Sequence, residues 1–380
     1  MSMEMFIYAD NAATTKLDIG AFEAMKPYLL SEYGNASQPY SFSRKNREAL
    51  KESRKIIAEC INALPEEIYF TSGGTESDNW AVKGMFFSDR NKGIIASEIE
   101  HHAVLRSVKA VENMGCNAVY LKPTTEGIIT VEELSGAITE RVGLVSIMTA
   151  NNEIGTIQPI KELSQLAHKT GALFHTDAVQ AVGHIGIDVK DLGVDMLSAS
   201  AHKFNGPKGI GFLYIKKGTP IIPYIDGGAQ ESSLRAGTEN VALIVGMAYA
   251  LQKNCQCMDA NINKVRELEN DFIGRLEING NKSIVKNGGN NTLPGIVSLS
   301  FENEDGEAML HRLDLRGICI STGSACNSGK SIVSHVLRAI GLDEKYVKGT
   351  IRISFGKDNT KEEVRYIADE INKIAMNRGR

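Results

Sequence analysis

The stretch SASAHKFNGPKGIGFLYI, residues 198–215, closes one apolar run on His202 and Lys203 and opens another after a set of glycines. The two apolar runs it joins, VDMLSAS (194–200) and GIGFLYI (209–215), are short and contain branched or aromatic residues, so both read as buried strands. Lys203 lies between them, where burial is expected. A buried ammonium is costly unless something uses its amine. Working outward, EEIYFTS (66–72), GIIAS (93–97), VGLVSIM (142–148) and GALFHTD (171–177) read as further strands. Helical patterns at 75–87, 102–114 and 160–169 fall between them. This alternation predicts an α/β layer fold with a mainly parallel sheet.

Past about residue 255 the pattern changes. A polar helical run (259–277) leads to the loop KNGGNNTLPG (286–295), then IVSLSF, a helix near 305–315, GICIST and TIRISF. Thr360 and Glu363 form a capping-box pattern, and Val364, Ile367, Ile371 and Ile374 recur at spacings of three and four, which predicts a closing amphipathic helix. These elements read as a smaller α+β domain. The expected division is 16–255 for a large domain, and 1–15 with 256–380 for the small one.

With 380 residues, 42% hydrophobic and 23% charged, the composition is that of an ordinary globular protein with length enough for two domains. A net charge of −4 provides no basic field to hold nucleic acid or an anionic membrane. No apolar stretch reaches the length of a membrane span, and MSMEMFIYADNAATT lacks the pattern of a secretory signal. The six cysteines form no CxxC pair. Neither a disulfide framework nor a zinc site is expected, and a reducing, cytoplasmic setting fits.

IYFTSGGTESDNWAVKG (68–84) runs from a strand through Gly73 and Gly74 into a helix that Thr75 could cap. A helix start offers free N–H groups and a positive dipole end, which favour an anion such as phosphate. FHTDAVQAVG (174–183) puts Asp177 at the carboxyl end of a strand, with Gln180 three residues on. Such a carboxylate caps the next turn or pairs with a cofactor's ring nitrogen. A lysine amine, a phosphate-ready helix start and an acidic strand end together suit pyridoxal 5′-phosphate. Burial would lower the lysine's pKa and free its lone pair.

At this point the chain resembles a known family: the cysteine desulfurases of the NifS/IscS group, among the fold-type I pyridoxal-phosphate enzymes. The resemblance runs over almost the whole length, on DNAATT (10–15), TSGGTESDN (71–79), EHHAV (100–104), NNEIG (151–155), HTDAVQAVG (175–183), SAHKFNGPKGIG (200–211), RAGTENV (235–241), GSAC (323–326), SHVLRAIG (334–341) and IRISFG (351–356). It implies a large domain with a mainly parallel seven-stranded sheet and a smaller α+β domain. It also implies that Lys203 holds the cofactor and that Gly74, Thr75, Ser200 and His202 contact its phosphate, with Thr238 reaching in from the partner of a homodimer. Asp177 would pair with the ring nitrogen and Gln180 with the ring hydroxyl. Asn152 would touch ring and substrate. His101 would stack on the ring and move protons, Arg352 would hold the α-carboxylate of L-cysteine, and Cys326 would be the nucleophile that takes the sulfur as a persulfide.

The implied partner is a sulfur acceptor, an iron–sulfur scaffold or a thiolation enzyme. No intrinsic metal site is implied, Cys326 being at most a transient iron–sulfur ligand. The chain departs from the family at NSGKSIV after Cys326 and at Tyr40, where histidine is common, and it ends at MNRGR, short of the tail some members use to dock a scaffold. Cys60, Cys116 and Cys319 are expected to be buried and inert. Competing readings are an aminotransferase or β-lyase, selenocysteine lyase included, that does not need Cys326, and a cofactor-binding interaction protein without turnover.

Overall fold

The computed structural model describes residues 6–276, 283–322 and 333–376. After the short strand β1 (Ile7–Tyr8), seven strands form one sheet: β2 (Ile68–Thr71), β3 (Gly93–Ser97), β4 (Ala118–Leu121), β5 (Val142–Ser146), β6 (Leu173–Asp177), β7 (Met196–Ser200) and β8 (Gly211–Ile215). Their order is β2-β8-β7-β6-β5-β3-β4. β4, β3, β5, β6 and β7 run parallel to one another. β8 is antiparallel to both β7 and β2. All six runs read from the sequence are strands, but GIGFLYI and EEIYFTS are not parallel ones. The link from β7 to β8, residues 201–210, is too short for the crossover that a parallel pair requires. β4 escaped the sequence reading because it is a half-buried edge strand with weak apolar contrast.

Helices cover both faces. Ala49, Leu50 and Ile57 of Arg44–Cys60, Leu163 of Ile160–Lys169, and Met247 and Leu251 of Val241–Gln256 share one core with Phe174, Leu197 and Phe212 of the sheet. Trp80, Val82, Val104 and Val108, from helices Gly74–Ser88 and His102–Glu112, pack with Ile94, Leu144 and Leu213 on the other side.

A second sheet is antiparallel, in the order β12-β13-β10-β9, built from β9 (Ile284–Asn287), β10 (Ile296–Phe301), β12 (Ser321–Thr322) and β13 (Thr350–Ser354). The run GICIST is split: its first half is β11 (Ile318–Cys319), paired in parallel with β1, and its second half is β12. Helices Met258–Arg275, Gly306–Asp314 and Lys361–Met376 cover this sheet through Phe272, Met309, Val364, Ile367 and Ile371. The capping box is formed: Thr360 N donates to Glu363 Oε2 at 3.0 Å and Glu363 N to Thr360 Oγ1 at 3.2 Å.

The N-terminal segment ties the two sheets together. Ala9 and Asn11 donate backbone bonds to Cys319 and Ser354, and Thr15 and Asp18 to His202 and Asn205. The carbonyls of Ala12 and Ala13 are thereby carried to the carboxyl ends of β6 and β7.

Candidate active site

A cavity of about 690 Å³ opens at those strand ends, lined by residues from both sheets and the N-terminal segment. In open α/β sheets, ligands bind outside the carboxyl ends of the strands.

β2 ends in a glycine pair. Gly73 has φ +149, a conformation side chains rarely adopt, and caps the helix Gly74–Ser88 without a side-chain hydrogen bond. A Cβ on Gly74 would meet Val179 Cγ2 at 2.5 Å, and one on Gly211 would meet Gly73 Cα at 2.8 Å, so bare backbone is needed here. Thr75, expected as the cap, lies inside the first turn instead, because the glycine already supplies the entry geometry. With no side-chain cap, the first N–H groups remain available to an anion. Gly74, Thr75, Ser200 and His202 all line the cavity.

Lys203 ends the single turn Ala201–Lys203 that follows β7. It is half-buried rather than buried, because this turn sits on the cavity wall. Its Nζ donates to Ala12 O at 2.7 Å and Ala13 O at 2.8 Å. Asp177 is buried at the end of β6 and accepts from Val179 N at 2.9 Å. Burial lifts its pKa to about 6, against that hydrogen bond and the nearby Lys203. Gln180 Nε2 donates to Ala12 O at 2.9 Å. His101 faces the cavity while His102 packs on His335, with ring centroids 4.7 Å apart. His101 Nδ1 accepts from Ala103 N, and burial together with Lys203 pulls its pKa down to about 4, leaving a neutral ring. His202 is likewise lowered to about 4, first by burial and then by Lys203, and its Nδ1 lies 3.1 Å from Thr14 Oγ1.

The second sheet contributes Arg352 from the middle of β13. It is 7% exposed, so its ion pair with Asp10 is not a surface salt bridge. Nη1 donates to Asn152 O at 2.8 Å and Nη2 to Asp10 Oδ1 at 2.7 Å, while the buried Nε has no partner among the described residues. Asn152 and Asp10 also line the cavity. A lysine amine, an uncapped helix start, a buried carboxylate and a guanidinium with a spare donor suit an anionic, amine-reactive cofactor and a substrate carboxylate.

A family description supplies the context. The model of the aminotransferase class-V family matches residues 7–367. The chain belongs to this family. The chain is 47% identical over 374 residues to "Cysteine desulfurase IscS" of Dictyoglomus turgidum, covering 98% of this chain and 95% of that one. Among solved structures, a NifS-like protein is 37% identical with a TM-score of 0.91, covering 98% of this chain and 100% of that one. "SspA in complex with cysteine" is 36% identical with a TM-score of 0.82, covering 93% and 99%. The α/β fold and the resemblance stated from the motifs are thus those of the family.

Of the expected site residues, Lys203, His101, Gly74, Thr75, Asn152, Asp177, Gln180, Ser200, His202 and Arg352 line one cavity. Thr238 is exposed and does not line it. Cys326 lies outside the described residues. Cys116 is buried as expected, whereas Cys60 and Cys319 are only half-buried. β11 is two residues long and meets only the short β1, which leaves Cys319 partly open; what burial it has still raises its pKa. The sequence reading missed Asp10, Asp78 and Glu153. Each stands inside a quoted motif, but only the fold shows that they face the cavity.

Proposed function

We propose that this protein is an L-cysteine desulfurase that uses pyridoxal 5′-phosphate and transfers sulfur to Cys326. The observation that carries the reading is the meeting of Lys203, Asp177 and Arg352 in one cavity, although they come from two sheets and from positions 26 and 149 residues either side of Lys203 (203 − 177 and 352 − 203). Support comes from the near full-length likeness to proteins named cysteine desulfurase and from a similar structure described as holding cysteine.

The residues present fit the cofactor. Gly74, Thr75, Ser200 and His202 would take its phosphate at the uncapped helix start, with Thr238 from the partner of a homodimer. Asp177 would meet the ring nitrogen, Gln180 the ring hydroxyl, Asn152 the ring edge and substrate, and His101 the ring face. When bound, the cofactor supplies a carbonyl for amines and a ring that takes up electrons from Cα. Arg352 holds the substrate's α-carboxylate through its planar fork. Lys203 takes the Cα proton and returns it, and neutral His101 accepts or donates protons beside it. The Cys326 thiolate attacks the substrate sulfur. The C–S bond breaks, its electron pair takes a proton to give L-alanine, and Cys326 keeps the sulfur as a persulfide.

The large domain is assigned to 16–255, around the seven-stranded sheet, and the small domain to 1–15 with 256–380, around the four-stranded one. Ile19, Phe22, Leu30 and Tyr33 are exposed on and after the helix Ile19–Leu30, an apolar surface suited to a homodimer interface. Among the described residues no helix is long and apolar enough to cross a membrane, in keeping with a cytoplasmic enzyme that serves an iron–sulfur scaffold or thiolation enzyme.

Incubation of the purified protein with pyridoxal 5′-phosphate and L-cysteine tests the reading. Alanine and a Cys326 persulfide seen by mass spectrometry are expected, and Cys326→Ala should bind cofactor yet form almost no alanine. Alanine formation by Cys326→Ala at the wild-type rate would replace the desulfurase with a β-lyase.

A further inference from the structure

Asp78 stands in the helix Gly74–Ser88, 1% exposed, and lines the cavity. Its Oδ1 is buried without a hydrogen-bond partner among the described residues. One carboxylate oxygen of Asp78, one of Asp177 and one ring nitrogen of His101 all lie within 4.8 Å of one another. Two carboxyls so close in a dry site do not both ionise, since the second charge would be both desolvated and repelled.

The surroundings decide which one keeps the proton. Asp177 has a backbone donor, Val179 N at 2.9 Å, and the charge of Lys203 nearby. Asp78 has weaker support. Burial first, then Asp177 and, to a smaller extent, Glu100 oppose its charged form, and only the Ser198 hydroxyl of β7 favours it. His175 of β6 is no cation: its Nε2 is 3.7 Å from Asp78 Oδ1 but bonds Ser198 Oγ at 3.0 Å, its Nδ1 bonds Ser146 Oγ at 2.8 Å, and burial pulls its pKa down to about 3. Glu100, before the helix His102–Glu112, is itself raised to about 8 by burial. His101, the N-cap of that helix, is neutral. No cation faces Asp78 from these elements, and an ionised, unpaired, buried carboxylate oxygen is the costliest form the side chain could take.

We propose that Asp78 is a positioning residue for the cofactor: it and Asp177 form a buried carboxyl pair that carries one negative charge, with the proton on Asp78 and the ionised Asp177 left to face the ring nitrogen. This rests on the pyridoxal-phosphate reading above for its purpose, though not for the placement of the proton. Asp78 then acts through Asp177. Its O–H stabilises the neighbouring carboxylate, and its neutrality keeps the pair matched to a single positive ring.

Two measurements test it. Difference infrared spectroscopy of cofactor-free wild type against Asp78→Asn at neutral pH should show a carboxylic-acid C=O stretch that belongs to the wild type alone. A difference made only of ionised-carboxylate bands would overturn the proposal. Should Asp78→Asn fail to fold, ¹³C-carboxyl aspartate NMR of the wild type replaces it: one aspartate should keep its acid form at neutral pH, and full ionisation of all aspartates would overturn the proposal. Equilibrium binding of pyridoxal 5′-phosphate reads the second half. Asp78→Ala should bind roughly tenfold more weakly, the worth of one hydrogen bond to a charged group, and Asp78→Asn should restore most of that loss because its amide also donates. Equal weakness in Asn and Ala would mean that the charge itself is needed, contrary to the proposal. If wild type binds no cofactor, the functional reading falls, while the infrared result still decides where the proton sits.

Discussion

Arg352 Nη2 donates to Asp10 Oδ1 at 2.7 Å, a bond between residues 342 positions apart that joins an inner strand of the second sheet to the N-terminal segment. The pair aims the guanidinium before any substrate arrives, and Nη1 on Asn152 O fixes its plane. A preset fork spares the substrate the entropy of ordering it.

Arg352→Lys should therefore raise the KM for L-cysteine roughly ten- to a hundredfold, the cost of about 1.5–3 kcal/mol for a hydrogen bond to a charged group. Steady-state kinetics check this, with the larger change in KM than in kcat. An unaltered KM would remove Arg352 from the substrate carboxylate.

Lys203→Ala should leave the reconstituted protein without the visible absorption band of a lysine-bound cofactor. Turnover should fall by orders of magnitude, since an essential nucleophile and proton carrier is gone. Spectra and an alanine assay on the same preparation check both. A variant that stays yellow and active would place the cofactor on another residue.

Glu153 adds a pH dependence to stability. Burial lifts its pKa from 4.5 to about 7, only partly offset by the Ser334 hydroxyl, which donates to Oε2 at 2.5 Å, and by Arg352. Between those values the folded state binds more protons than the unfolded chain, so this group's contribution is intact below the lower value and is lost as pH rises through the upper one. Glu153→Gln should show a smaller fall in melting temperature between mildly acidic and mildly alkaline buffer than wild type. Parallel melting curves of the two proteins would show no contribution from Glu153.

Glu231 holds a strained corner. Glu231, Ser232 and Ser233 take φ values of 46, 58 and 65. The Glu231 carboxylate accepts two bonds from Arg54, at 2.7 and 2.8 Å, and one from Phe70 N at 2.9 Å. Glu231→Ala strands the strand N–H and leaves the Arg54 guanidinium only the Ile68 carbonyl and the Phe70 ring, and should cost about 3 kcal/mol of unfolding free energy. Denaturant titration reads this, and a loss below about 1 kcal/mol would mean that the left-handed turn is held by other contacts.

Local chemistry was legible along the chain. The apolar runs of β3, β5 and β7, the capping box at Thr360 and Glu363, the glycine pair before the helix Gly74–Ser88, and Asp177 at a strand end each depend on neighbours a few residues away. Lys203 was legible as a lysine in an odd place. Its half-buried position was not, because that depends on Ala12 and Ala13 carbonyls brought from the N-terminus.

The sequence by itself determined the α/β class, the glycine pair at a strand-to-helix turn, and the placing of Asp177 and Lys203 at or just beyond strand ends, since periodicity, glycine freedom and motif spacing are short-range properties. Only the tertiary structure decided the antiparallel direction of β8, the division of GICIST between two sheets, and the meeting of Asp10 with Arg352 and of Asp78 with Asp177. Those depend on which surfaces pack together once the chain closes, and on how little water remains between charges that the fold, not the sequence, makes neighbours.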